Sequence, residues 1–326
     1  MKKLLLSLAG AAALLATPAA AADMGAPVVT KAPVLAPAPS PWDIAFGGGL
    51  MTDYNFRGIT QSDHGPAVTG YFEPRFNVND WLQIYAGIAG TSTKLPTQPT
   101  AEVDLYGGIR PTFGAFALDI GFMYYLYPNE TQFCGAPCPG SQPAFANGNT
   151  TLNETDYWEI YGKAAYTIND SIIVGANVFY SPSWLNTGAD GTYLSGTAKF
   201  VAPGSFLPAN IGAYLSGEFG HYWFGTTNFV PGVLVNNAGN GGIKLPEYSY
   251  WNVGVGLTFK AFTLDLRYHD TDLSKAQCNV LTGDPGATAL NRPVRVNNTT
   301  TANGSNWCGE AFIAKLTFDT TLAALK

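Results

Sequence analysis

Residues 261–270 read AFTLDLRYHD, and every second side chain obeys one rule. Phe262, Leu264, Leu266 and Tyr268 fall on one side of an extended chain, while Thr263, Asp265, Arg267 and His269 fall on the other. Successive strand side chains point to opposite faces, so this segment is a strand between two different solvents. Repeated along a chain, such segments describe a barrel wall, apolar outside and polar inside. A soluble sandwich alternates in the same way, so the rest of the sequence has to separate the two.

The N-terminal residues point to export. Lys2 and Lys3 precede the apolar run Leu4 to Leu15 and the small residues Ala19 to Ala22, the pattern of a secretory signal peptide (residues 1–22) cut after Ala22. Its apolar core is too short for a membrane helix, and no later apolar run reaches spanning length. A membrane location therefore requires a closed barrel, because lipid offers no partner to an open sheet edge. Residues 23–41, rich in Ala and Pro, read as a periplasmic linker. A net charge of −6 with scarce Lys and Arg leaves no basic stripe for nucleic acid. No glycine-rich phosphate loop, metal-ligand spacing or serine elbow is present, so neither cofactor nor metal is expected. The four cysteines, in an exported chain and outside the strand patterns, predict disulfides Cys134–Cys138 and Cys278–Cys308 rather than a zinc site.

About twelve segments have the length of tilted membrane strands: 42–59, 66–78, 81–93, 101–112, 115–127, 154–168, 171–181, 191–201, 209–223, 246–259, 261–270 and 309–318. Short turns at Asn79-Asp80, Phe113-Gly114, Asn169-Asp170, Ala202 to Pro208 and Lys260 alternate with long connections at 128–153, 224–245 and 271–308. An outer-membrane barrel segregates turns and loops to opposite ends in this way. By parity the inward face carries Asp53, Arg57, Glu73, Arg75, Glu102, Asp104, Arg110, Asp119, Glu159, Lys163, Lys199, Glu218, Asp265, Arg267, His269 and Lys315. The outward face carries Val103, Leu105, Ile109, Phe116, Leu118, Ile120, Phe122, Ile160, Trp251, Val253, Val255, Leu257 and Phe259. A lipid-facing Lys or Arg near the midplane costs about 2–4 kcal/mol, so this separation argues for a polar lumen inside an apolar wall. Trp42, Trp81, Trp158, Trp223 and Trp251 sit near strand ends, where aromatic girdles form. Pro74 and Pro111 predict a bulge or local break, and residues 319–326 form a tail beyond the last strand. The fold expected is an all-β transmembrane antiparallel up-and-down barrel over residues 42–318.

The stretch Thr52-Asp53-Tyr54-Asn55-Phe56-Arg57-Gly58-Ile59-Thr60-Gln61 resembles the opening signature of the TorF family, whose members are labelled porins by analogy. Tyr106-Gly107-Gly108 and Tyr124-Tyr125 are weaker echoes of the same family. The resemblance implies a Gram-negative outer-membrane barrel, with the signature ending its first strand.

Read by residue chemistry, Asp53 and Arg57 are either constriction charges that orient polar solutes or wall salt bridges, with Tyr54 and Phe56 facing lipid. Asp265, Arg267 and His269 form the densest ionisable group on one strand, a solute-contact site or a lumen ladder. The function expected is a porin-like channel for passive diffusion of small hydrophilic solutes or ions, with at most a weak cation preference. Its expected surroundings are the outer membrane and its lipid, reached through the Sec pathway and the barrel-assembly machinery. A barrel with a plugged lumen is the alternative. A lipid hydrolase built on His221 and Ser249, which share outward parity on adjacent strands, is the third reading, but neither an orienting group nor an oxyanion hole accompanies them.

Overall fold

The alternation closes into a ring. In the computed structural model, residues 41–135, 143–152, 154–204, 207–208, 210–228 and 242–325 are described; the signal peptide and nearly all of the linker lie outside them, as does Cys138. Twelve antiparallel strands form one closed barrel. They are β1 (Trp42–Met51), β2 (Ala67–Asn79), β3 (Leu82–Thr91), β4 (Glu102–Phe113), β5 (Phe116–Leu126) and β6 (Tyr157–Asn169). The second half continues with β7 (Ile172–Ser181), β8 (Gly191–Val201), β9 (Ile211–Phe224), β10 (Tyr248–Phe259), β11 (Phe262–Thr271) and β12 (Ala311–Thr321). Each strand pairs with its chain neighbours, and β1 closes the ring against β12 from Ala45↔Thr321 to Met51↔Lys315. Closure leaves no unpaired edge, which is what a wall in hydrocarbon requires.

The faces separate as the parity predicts. Ile120, Ile160, Val253, Val255 and Leu257 are all about half exposed on the outside, whereas Glu73, Asp104, Asp119 and Glu159 are fully buried inside. On β11, Thr263, Asp265, Arg267 and His269 are buried while Phe262 and Leu264 are exposed. Trp42, Trp81, Trp158 and Trp223 are exposed near strand ends.

Two strand ends need correction. The first strand ends at Met51 and not at residue 59, because the chain after it leaves the wall and enters the lumen. The last strand runs to Thr321, so three residues of the expected tail belong to the wall, with Asp319 buried inside. Pro74 and Pro111 produce the local break and not a bulge. The β2–β3 ladder skips the pairs of Glu73 and Pro74, the β4–β5 ladder those of Arg110 and Pro111, and both resume in the same register, since proline has no N–H to donate. Bulges occur instead next to turns, at Asn77/Asn79 and Thr167/Asn169.

Glycines inside the strands have a packing cause. Tyr71, Tyr106, Tyr161 and Tyr214 point into the lumen and lie across the glycines opposite them, Gly47, Gly87, Gly121 and Gly256. A Cβ on Gly256 would stand 2.0 Å from the Tyr214 ring, and one on Gly121 would stand 2.5 Å from the Tyr161 hydroxyl. Such aromatic cover compensates a glycine in a strand and sharpens the curvature of the wall. Gly256→Val should therefore destabilise the barrel by about 1–3 kcal/mol through overpacking, seen as a lower urea midpoint for unfolding in detergent.

Candidate functional site

Between β1 and β2 the chain turns inward and makes a two-residue hairpin, Asn55–Phe56 paired with Ile59–Thr60. Its central residues are Arg57 (φ 49°) and Gly58 (φ 87°). Positive φ at both positions is what a tight hairpin of this hand needs. Gly58 supplies it freely, and Arg57 adopts it at a cost of about 1–2 kcal/mol. Asn55 Oδ1 accepts a hydrogen bond from the Gly58 amide at 2.9 Å and fixes the turn. Glycine is also required by space, since a Cβ at position 58 would stand 2.1 Å from Thr271 Cγ2 on β11.

The tip carries Arg57 into the middle of the barrel. Its guanidinium binds both carboxylate oxygens of Glu159 on β6, at 2.8 and 2.9 Å. It lies 4.4–5.0 Å from the ring centroids of Phe56, Phe179, Tyr193 and Tyr222. Glu159 also accepts hydrogen bonds from Tyr125 (3.0 Å) and Tyr222 (3.3 Å), so every charge of the pair has a partner. Tyr54 donates to Glu102 at 2.5 Å, and Tyr248 donates to the Arg57 carbonyl at 2.9 Å. With Phe56 against Tyr125, the segment touches seven consecutive strands, β4 to β10. Arg57, Glu159, Tyr125, Tyr193, Tyr222 and Tyr248 are all 5 % exposed or less, so the lumen is filled at this level. Removing one partner of such a buried pair strands the other charge, at a cost of about 3–5 kcal/mol.

The other inward charges form separate groups. Toward the turn end, Arg110 binds Glu73 (2.8 and 3.1 Å) and Asp119 (3.2 Å) and stacks 3.5 Å from the Tyr85 ring, with Arg75 also on Glu73. On the opposite wall Arg267 joins Asp265, Asn252 and Ser216, while His269 Nδ1 meets the Tyr250 hydroxyl at 2.8 Å. Glu218 accepts from Tyr193 and Asn252. Lys163 lies over Tyr161 and Phe179, and Lys199 over Tyr214. Lys315 faces Asp265 across the β11–β12 ladder, and Asp104 is buried beside Glu102 on β4. Fourteen of the sixteen predicted residues lie on barrel strands at lumen parity, as ladders around the wall and not as one constriction. Asp53 and Arg57 face it from the hairpin, off the wall.

Tyr54 and Phe56, expected to face lipid, are inside; Tyr54 is buried. The tyrosine collar was missed, although its signal was present: Tyr125, Tyr157, Tyr193, Tyr222 and Tyr248 all have lumen parity near the loop ends of their strands.

Loops seal the same end. Cys278 and Cys308 are joined, as predicted from loop position and compartment, and tie α1 (Lys275–Thr282) to the loop just before β12. Ile59 bridges Cys308, and the Trp307 indole donates to Asp63 at 3.0 Å, so the cap holds the root of the inward segment. His221 Nδ1 lies 3.1 Å from Ser249 Oγ on the outer wall, as the parity predicted. Among the described residues no carboxylate hydrogen-bonds that imidazole.

Asp53 is the polar anchor of the root. Burial alone would raise its carboxyl, but hydrogen bonds from His64, Thr60 and Ser62 outweigh burial and hold it below the ordinary value. The same contact with Asp53 lifts the His64 imidazole above its usual value. Asp53 thus stabilises the root fully above its unfolded pKa, about 3.9, and the effect fades as pH falls through the lower folded value. His64 does so fully below about 6.5, and its share fades as pH rises through the raised folded value. Amide protection factors across residues 52–64, with the intrinsic pH dependence of exchange divided out, should be highest between these limits and fall on both sides; a flat profile would remove the pair's role.

With this geometry in place, comparison with known proteins adds the following. No curated protein matches the chain. Among solved structures, the NanC porin has 8 % identity over 84 % of this chain and 98 % of its own, with a TM-score of 0.41. An outer membrane channel from Pseudomonas putida F1 has 12 % identity over 88 % and 97 %, with a TM-score of 0.42. OmpT, an outer membrane protein of Vibrio cholerae, has 12 % identity over 89 % and 100 %, with a TM-score of 0.35. A family model matches residues 35–294, four-fifths of the chain, and the protein belongs to that family, described as a bacterial protein of unknown function (Gcw_chp).

Proposed function

We propose that this protein is a porin-like channel of the outer membrane for small hydrophilic solutes, held shut in the conformation seen here by the inward hairpin. The supporting observation is the seat of Arg57. A wall-borne ladder is part of the barrel's own fabric, whereas Arg57 sits on a loop and can leave without breaking a wall hydrogen bond. Loop segments open at far lower cost than packed strands. The TorF-like signature, Thr52 to Gln61, coincides with the plug, so the resemblance and the proposed gate rest on the same residues. The apolar exterior and closed ring suit hydrocarbon, which supports insertion in the outer membrane; the signal-peptide pattern of residues 1–22 supports arrival through Sec, with the barrel-assembly machinery as the inserting partner. The reading assigns the chain no enzymatic activity.

A permanently filled, structural barrel is the second reading, favoured by the wall-borne tyrosines of the collar. Single-channel recording in planar bilayers separates the two. Wild type should be closed with rare brief openings. Arg57→Ala strands Glu159 in the closed state at a cost of about 3–5 kcal/mol and should raise open probability by roughly 10²–10⁴-fold, to steps that large sugars reduce. Silence from a correctly folded Arg57→Ala variant, and from one lacking residues 54–60, would establish the filled barrel instead.

A further inference from the structure

Above the hairpin, under the capping loops, lies a cavity of about 650 Å³. Its floor is the plug itself, Phe56, Ile59, Thr60 and Gln61, together with Tyr127, Tyr157, Tyr222 and Tyr248. Its sides bring Trp184 and Trp307 together with a ring of threonines and asparagines from five loops. No charged side chain lines it among the described residues. The contrast with the layer beneath is sharp, since the plug level and the wall ladders are built on Arg, Glu and Asp.

We propose that this vestibule binds an uncharged carbohydrate, a mono- or disaccharide. Its size lies in the middle of the range of small-molecule sites, about 300–1,000 Å³. An ionic solute would lose hydration there and find no counter-charge, which disfavours it. A neutral pyranose has both faces the lining asks for: axial C–H groups that pack on aromatic rings, and hydroxyls that meet hydroxyl and amide groups. The rim is preorganised. Asn149 Nδ2 donates to Asn279 Oδ1 and to the Asp284 carbonyl, both at 2.8 Å, and Asn303 Nδ2 donates to the Asn147 carbonyl at 2.7 Å. The Cys278–Cys308 bridge pins the helix and the Trp307 loop that form one side. Rim groups held in place this way lose little freedom when a ligand arrives. Because the sugar would rest on Phe56 to Gln61, the site also stands directly on the proposed gate. The binding claim rests on the vestibule alone and holds whether or not the lumen opens.

The test is a titration of intrinsic tryptophan fluorescence of the refolded protein with maltose, and with glucuronate and glucosamine as charged comparators. Trp184 and Trp307 are the only tryptophans lining the cavity, and they report its occupancy. Maltose should give a saturable change, with glucuronate and glucosamine at least about tenfold weaker, a gap of about 1.4 kcal/mol. Ala302→Arg, at an exposed rim position that lines the cavity, should abolish the maltose response while the barrel stays folded and heat-modifiable. Charged sugars binding as well as maltose would overturn the proposal. So would an unchanged response in Ala302→Arg, or no saturable response to any of the three. Conductance of Arg57→Ala is read separately, so failure here leaves the gating claim standing, and the reverse.

Discussion

A single buried ion pair, Arg57 on Glu159, decides what kind of barrel this is. Twelve strands enclose a lumen wide enough to need filling, and wall side chains alone leave its centre to the hairpin. Arg57 suits that place because its planar guanidinium forks onto one carboxylate while its faces lie against aromatic rings. Around it the phenolic hydroxyls of Tyr125 and Tyr222 satisfy what remains of Glu159, which is the condition for a buried charge pair to be tolerated. The left-handed backbone at Arg57 runs against local preference, and the tertiary contacts at the tip hold it there.

The wall and the plug follow different rules. Strand alternation is enforced at every position by lipid on one side and a polar interior on the other, so the wall was readable from AFTLDLRYHD and its counterparts. The Cys278–Cys308 bridge was also readable, from loop position and compartment. The hairpin was not. Asp53, Asn55 and Arg57 continue the same period of two past Met51, and period alone extends β1 through them. The strand ends in a bend at residues 52–54, and the left-handed pair at 57 and 58 then turns the hairpin; of these only Gly58 is a visible signal. The mistake about Tyr54 and Phe56 follows directly, since a hairpin inside the lumen has no lipid face.

Charge parity was informative for a related reason and stopped at a definite point. It placed Glu73, Arg110, Asp119, Asp265 and Arg267 on the lumen side correctly, because the cost of charge in lipid acts residue by residue. It said nothing about partners, which depend on strand tilt and stagger around the ring. Glu73 therefore meets Arg110 two strands away, and Arg57 meets Glu159 across the lumen. The loop end carries a third environment, neutral and aromatic, built from segments with no periodicity at all.

The central claim is that the hairpin occupies the lumen and that its departure opens the channel. Its most direct test is a disulfide between positions 58 and 271, where a Cβ on residue 58 would stand 3.6 Å from that of Thr271, within the spacing a disulfide needs. Gly58→Cys/Thr271→Cys should cross-link on folding and be silent in bilayers while oxidised. After reduction it should conduct, under conditions where reduced wild type stays closed. Failure to cross-link would place the hairpin elsewhere, and equal conductance in both redox states would contradict the gate.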